Sequence, residues 1–424
     1  MHESTDIYPT PSCKYFVVRK KRHCKMTVKQ GEEYCGEHQK ITCVNSETDP
    51  TKSQDRKNPS KIRIVCPLDR KHTCYAHNLK KHLKICNAGR ISTEPYILKG
   101  VNSGKIGDGE LVDLYRLLST FSIQDIKDTI LKVNAIFENS LKEEITEKSA
   151  SHILIEQEMA KPEYGDKTKK HLKQASAILG LMHEYNLLMK PRTCYIEFGA
   201  GRGQLSYWIA NAVQSSEGSN ILLVERASPK HKRDNKLDKT FHKIQRVRAD
   251  ISDIVLDKLD IISASENIVG VTKHLCGEAT DLAMRCLVNI AENKHKLQGA
   301  VLTFCCHHRC KWTSYVGKEF FEANNLSISD FYIMCGMASW ATCGTGLSRE
   351  RRNNEKATEL AQNERDCEIG LSREEKEVVG YRCKHLLNWG RLLYMKKLGF
   401  NCSLHYYVEK SISLENVCIV AVKS

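Results

Sequence analysis

The sequence predicts an α/β protein: a mostly parallel sheet closed by an antiparallel hairpin, preceded by two small metal-binding modules. Three observations support this. From Tyr195 onward, short apolar runs alternate with helical patterns, the mark of a parallel sheet. The first run ends in a glycine turn, EFGAGRG, with Glu197, Gly199, Gly201 and Gly203. The chain finishes in two β-type runs, 400–409 and 414–422, after a long helical stretch, so one of them must run antiparallel.

The chain has 424 residues, of which 41% are hydrophobic and 27% charged, enough for two or more soluble domains. Its apolar runs are too short to span a bilayer, so no membrane partner is expected. The first residues hold no apolar signal core, and the expected location is intracellular, nuclear and/or cytoplasmic. Nineteen cysteines in such a chain predict reduced thiols and metal sites. Net charge is +14, and residues 1–90 supply +10 of it. Such asymmetry points to a polyanion partner, most simply nucleic acid; a solubilising basic tail is the plain alternative. No protein partner can be inferred.

The first module spans 1–43. Cys13, Cys24, Cys35 and His38 follow one another at intervals of ten, ten and two residues. Three thiolates and one imidazole suit a closed tetrahedral zinc site. The segment has almost no apolar core, so metal must supply most of its folding energy. A polar linker, 44–60, follows. In the second module, 61–88, Cys66, His72, His82 and Cys86 stand five, nine and three residues apart. His82 and Cys86 fall at i and i+4, on one face of a helix. Cys74 and His77 are further candidates there. Residues 89–165 read as a helical connector.

The catalytic-type domain is 166–424. Its first helix, 166–188, starts with a basic cluster that reads as a solvated face or as a phosphate or active-site contact. The glycine turn follows. Strands at 220–224, 244–249, 267–271 and 298–304 come next, and their ends carry Glu225, Asp250 with Ile251, TKHLCG and CCHHRCKW. An acid 20–30 residues beyond a glycine turn can bind ribose hydroxyls. The pair Asp250–Ile251 can hold an adenine, the carboxylate accepting from the amino group and the isoleucine packing on the ring. An insertion of about 307–371 precedes the last helix; its charged part, 345–370, is expected to be mobile. The CCHHRC run is dense in metal ligands. Adjacent residues on one strand end point in different directions, so a rigid pocket loop is the favoured reading there.

The E-x-G-x-G-x-G turn, the acids after the second and third strands and the closing hairpin resemble a class I S-adenosylmethionine-dependent methyltransferase. The finger spacings with EFGAGRGQLS, TKHLCGEATDLA, CCHHRCKW, SWATCG and SLENV resemble the Trm13 family of tRNA 2′-O-methyltransferases, over nearly the whole chain. That resemblance implies methyl transfer from S-adenosylmethionine to the 2′-hydroxyl of nucleotide 4 in a tRNA acceptor stem, with two structural zinc ions. It implies that Glu197, Gly199, Gly201 and Gly203 cradle the methionine part of the cofactor, that Glu225 holds its ribose, and that Asp250 and Ile251 hold its adenine.

Removing the hydroxyl proton calls for a general base, and Lys273, His274, His307 and Glu415 are the candidates. Other ribose methyltransferases often use a Lys-Asp-Lys-Glu set, of which Lys273 and Glu415 would be two members. A lysine serves only if burial or nearby positive charge lowers its pKa. Two other readings stay open. An RNA cytosine-C5 methyltransferase would use Cys276 and Cys305 as thiols. A zinc-finger RNA-binding protein with a degenerate methyltransferase fold would do no chemistry.

Overall fold

The computed structural model describes residues 13–17, 22–23, 28, 33–34, 63–86, 94–104, 116–229, 232–237, 242–290, 292–343 and 368–424. The chain divides into two compact units. The first contains residues 1–93, and the second contains 94–347 and 359–424.

In the first unit, β1 (Phe16–Val17) and β2 (Arg22–His23) form a short antiparallel ladder. Cys13 is buried beside it. Cys24, Cys35 and His38 lie outside the described residues. The second module is a hairpin of β3 (Arg63–Cys66) and β4 (Asp69–Tyr75) followed by α1 (Leu79–Ile85).

The second unit is built on one large sheet. Its members are β5 (Ile145–Glu147), β6 (Thr193–Phe198), β7 (Asn220–Val224), β8 (Lys243–Val247), β9 (Asn267–Thr272), β10 (Leu275–Cys276), β11 (Leu297–Cys305), β12 (Phe400–Tyr406) and β13 (Val417–Lys423). The order across the sheet is β5-β12-β13-β11-β9-β6-β7-β8, and β10 pairs with the end of β11. Strands β8, β7, β6, β9 and β11 are parallel. Strand β13 inserts antiparallel between β11 and β12, so the terminal hairpin reverses one strand as expected. This is the class I methyltransferase arrangement.

The helices are α2 (Ile123–Ser140), α3 (Ile153–Met159), α4 (Asp166–Glu184), α5 (Gln204–Ala212), α6 (Asp260–Ser263), α7 (Glu278–Val288), α8 (Lys318–Ala323), α9 (Ile328–Met337), α10 (Trp340–Cys343) and α11 (Arg373–Lys397). Alternating residues of each central strand feed two cores. Ile196, Phe198, Leu222 and Val224 pack on one face with Leu282, Leu287, Leu392 and Met395. Tyr195, Ile221, Leu223 and Val269 pack on the other with Leu172, Ile178, Leu205 and Ile209. A sheet covered on both faces explains why these strands read as continuous apolar runs.

The stretch expected to be a helical connector, 89–165, is part of this unit from residue 94. Its β5 adds an edge strand beside β12, and its α2 packs with the insertion. Ile126, Ile130 and Val133 meet Trp312, Phe321, Phe331, Leu386 and Leu387 in a third core. The first part of the insertion is therefore a small helical layer. Residues 344–367, which hold most of the segment expected to be mobile, lie outside the described residues. Among the described residues, no helix is long and apolar enough to cross a membrane.

Candidate active site and zinc modules

The site forms at the carboxyl ends of the parallel strands. Gly199, Gly201 and Gly203 all adopt left-handed backbone, with φ of 66°, 49° and 72°. Gly203 is boxed in: an added Cβ would lie 2.8 Å from Asp234 Oδ1 and 2.9 Å from Arg246 Nη2. Gly201 is the reverse case, with nothing nearer than 4.0 Å at that position, so its open face leaves room for a ligand. Arg246 braces the turn. It makes a two-pronged contact with Asp234, at 3.0 and 2.7 Å, and donates to the Gly201 carbonyl at 2.9 Å.

The three expected acids sit around this turn. Glu197 is buried at the end of β6, where its Oε2 accepts from the Ser206 amide at 2.8 Å and from the Ser206 hydroxyl. It thus caps the first turn of α5. Burial raises its pKa to about 7, against the opposing pull of Ser206, Lys273 and Arg246. Glu225, half-buried after β7, accepts from the amides of Gly201 at 2.8 Å and Ala227 at 2.7 Å. Asp250 accepts from the Ser252 amide at 3.2 Å and pairs with Arg226 at 3.2 Å. Ile251, next to it, is packed into the core. A carboxylate has about four acceptor sites, so Glu225 and Asp250 both keep capacity for a ligand. Open glycine backbone flanked by two acids fits a cofactor with a ribose diol and an adenine.

Lys273 and His274 follow β9. Lys273 Nζ donates to the His171 backbone carbonyl at 2.8 Å, which ties it to the first turns of α4. Burial lowers the lysine's pKa to about 8, with Glu197 pulling the other way. That is the tuning a lysine base requires. His274 has φ of 56°, and its Nε2 bonds to Gln174 Oε1 at 2.9 Å. Burial, then Lys273, lowers its pKa to about 4, which makes it a weak base at neutral pH.

His307 is buried. Its Nε2 bonds to Asn388 Oδ1 at 2.9 Å, and burial with Arg391 and Lys384 holds its pKa well below the usual value. Glu415 stands before β13, 2.6 Å from the buried Lys384. Burial raises its pKa, opposed by Lys384.

One group has no counterpart among the residues expected from sequence. Lys384, Asn388 and Arg391 fall at i, i+4 and i+7 of α11 and form a buried polar stripe facing the loop after β11. Arg391 grips Asp281 through two bonds of 3.0 and 2.6 Å and donates to Cys310 Sγ at 3.1 Å. The spacing was the available signal. The CCHHRC run, favoured from sequence as a pocket loop, brings its thiols to Cys276: Cys276 Sγ lies 2.9 Å from Cys305 Sγ and 3.5 Å from Cys306 Sγ. A groove of about 340 Å³, lined by Val316, Phe320, Trp389 and Leu393, lies on the insertion side, and no candidate residue lines it.

In the second zinc module, three expected ligands meet. Cys66 Sγ lies 3.7 Å from Cys86 Sγ and 3.1 Å from His82 Nε2. The S–S edge of a zinc tetrahedron with 2.3 Å bonds is about 3.8 Å, so this set fits the ion. His72 is on β4, and its side chain lies outside the described residues.

Residues 173–422 match the family described as Methyltransferase TRM13. A tRNA:m(4)X modification enzyme TRM13 homolog from Mus musculus is 34% identical over 468 residues, covering 97% of this chain and 94% of that protein. The chain belongs to the TRM13 family. It is accordingly a methyltransferase. The Homo sapiens homolog is also 34% identical, and the Saccharomyces cerevisiae TRM13 is 28% identical over 97% of this chain. Residues 11–39 match the CCCH zinc finger in TRM13 protein, and 63–87 match a U11-48K-like CHHC zinc finger. Both modules are therefore zinc fingers. A solved plantazolicin methyltransferase, BpumL with SAH, covers 71% of this chain at 11% identity and a TM-score of 0.31, too low to bear on fold or function.

Proposed function

We propose that this TRM13 methyltransferase moves a methyl group from S-adenosylmethionine to the ribose 2′-hydroxyl of nucleotide 4 in the acceptor stem of tRNA. The relatives are named tRNA:m(4)X modification enzymes, a name that fits position 4 and leaves the base open. Chemistry on the ribose, which every nucleotide carries, suits such a name.

The observation that carries the chemical part is Lys273, a partly buried lysine tuned to about 8 at the end of β9. S-adenosylmethionine supplies an electrophilic methyl. The open face at Gly201 takes its amino-acid part, Glu225 its ribose and Asp250 its adenine, while Ile251 backs the adenine from the core. Glu197 holds the turn in shape through Ser206. Neutral Lys273 accepts the 2′-hydroxyl proton as the oxygen attacks. His274, fixed by Gln174, orders the same loop. Glu415 and Lys384 position the ribose from the β13 side, and His307 supports that wall from within.

The fingers add affinity for the tRNA backbone and shape, since basic segments bind phosphate without reading sequence. The experiment incubates purified protein with S-adenosylmethionine and a tRNA transcript, then digests the product to nucleosides for mass spectrometry. A 2′-O-methylnucleoside is expected. A 5-methylcytidine instead would favour the cytosine reading, and no methylated nucleoside would favour the degenerate RNA-binding one.

A further inference from the structure

We propose that Cys276, Cys305 and Cys306 form a third zinc site, inside the methyltransferase domain and separate from both fingers. Their sulfurs all lie within 4.8 Å of one another. Successive residues of a strand send their side chains to opposite faces, so Cys305 and Cys306 should diverge. They converge because Cys306 leaves the strand in left-handed backbone, with φ of 54°. His274 does the same on the other loop, with φ of 56°, and this returns Cys276 to pair beside Cys305 as part of β10. Each such conformation costs a non-glycine residue about 1–2 kcal/mol. Two of them, on two loops, together bring three sulfurs to one point.

Three thiols suit a soft d10 cation better than a disulfide, which would leave one sulfur over. The separations of 2.9 and 3.5 Å exceed the bond of about 2.05 Å in a disulfide. The 3.5 Å separation lies near the edge of about 3.8 Å in a zinc–thiolate tetrahedron, and the 2.9 Å one would open by about 0.9 Å to take the ion. The cluster holds three protein ligands, which leaves the fourth position to solvent. A metal here would tie the loop carrying Lys273 and His274 to the loop after β11. The site depends on the thiol geometry alone and not on the identity of the methyl acceptor.

The test measures zinc per chain in the reduced, full-length protein and in Cys276→Ser and Cys305→Ser. Each variant should hold about one equivalent less than the parent. Cobalt-loaded protein should lose part of its thiolate charge-transfer absorption in the same variants. In the parent itself, Cys276, Cys305 and Cys306 should resist alkylation until a chelator is added, a reading that stands even if the variants fail to fold. Equal zinc in parent and folded variants, or free alkylation of the three thiols before chelation, overturns the site. So does a Cys276–Cys305 disulfide recovered with no loss of zinc.

Discussion

Lys384 Nζ sits 2.6 Å from Glu415 Oε2, an ion pair that joins the middle of α11 to the turn before β13. Lys384 also donates to the Leu414 carbonyl at 3.2 Å. Only 4% of the lysine side chain is exposed, against 21% of the glutamate. Removing the carboxylate strands a buried cation. Glu415→Ala should therefore lower unfolding free energy by roughly 3 kcal/mol, the low end for a broken buried pair, because Glu415 keeps some contact with water. The double variant Lys384→Met/Glu415→Gln should cost less than Glu415→Ala alone. Urea denaturation of the parent and both variants checks this; a double variant less stable than Glu415→Ala would mean that the stranded cation is not the source of the loss.

Methyl transfer should rise with pH and level off near pH 8. A lysine accepts a proton only when neutral, and the neutral fraction grows about tenfold per pH unit below its pKa. Lys273 lies near 8 and Glu197, beside it, near 7, so the measured midpoint belongs to the pair. If His274 or His307 were the base, the profile would be flat from pH 6 to pH 9, because both titrate well below that window. Lys273→Met should cut kcat by about 10²–10⁴ with S-adenosylmethionine affinity nearly kept.

The glycine turn and its acids should separate binding from folding. Glu225→Ala and Asp250→Ala should each weaken S-adenosylmethionine binding about tenfold in calorimetry, the loss of one charge-assisted hydrogen bond. Both carboxylates are partly exposed, so neither change should lower thermal stability much. Gly203→Ala should instead destabilise the domain, because its Cβ would strike Asp234, Leu223 and Arg246.

The fingers should be dispensable for the cofactor. A chain lacking residues 1–88 should bind tRNA more weakly and with a shallower salt dependence, since it loses much of the basic charge. Its S-adenosylmethionine affinity should stay near that of the parent. A collapse of cofactor binding would make the fingers structural parts of the catalytic unit.

Much of this architecture is legible in the residues. Strands buried on both faces announce themselves as apolar runs, and β7, β9 and β11 begin and end within about one residue of the sequence reading. The acids at the end of β6 and after β7 and β8 are legible because they stand at the sheet's carboxyl edge. The edge strand β5 is not, because three residues, one half-buried and two exposed, leave no period to read. The thiol cluster is hidden for a different reason. It depends on left-handed backbone at His274 and Cys306, and neither residue type marks that conformation. Lys384 is hidden because a lysine in a helix reads as solvated, and only its register with Asn388 and Arg391 shows that it faces inward.

The most direct measurement uses two tRNAs that differ in one oxygen. One is the unmodified substrate, and the other carries a 2′-deoxynucleotide at position 4. With labelled S-adenosylmethionine and the full-length protein, the first should take up about one methyl group per molecule and the second essentially none. Equal labelling of the two would place the methyl somewhere other than the 2′-oxygen of nucleotide 4.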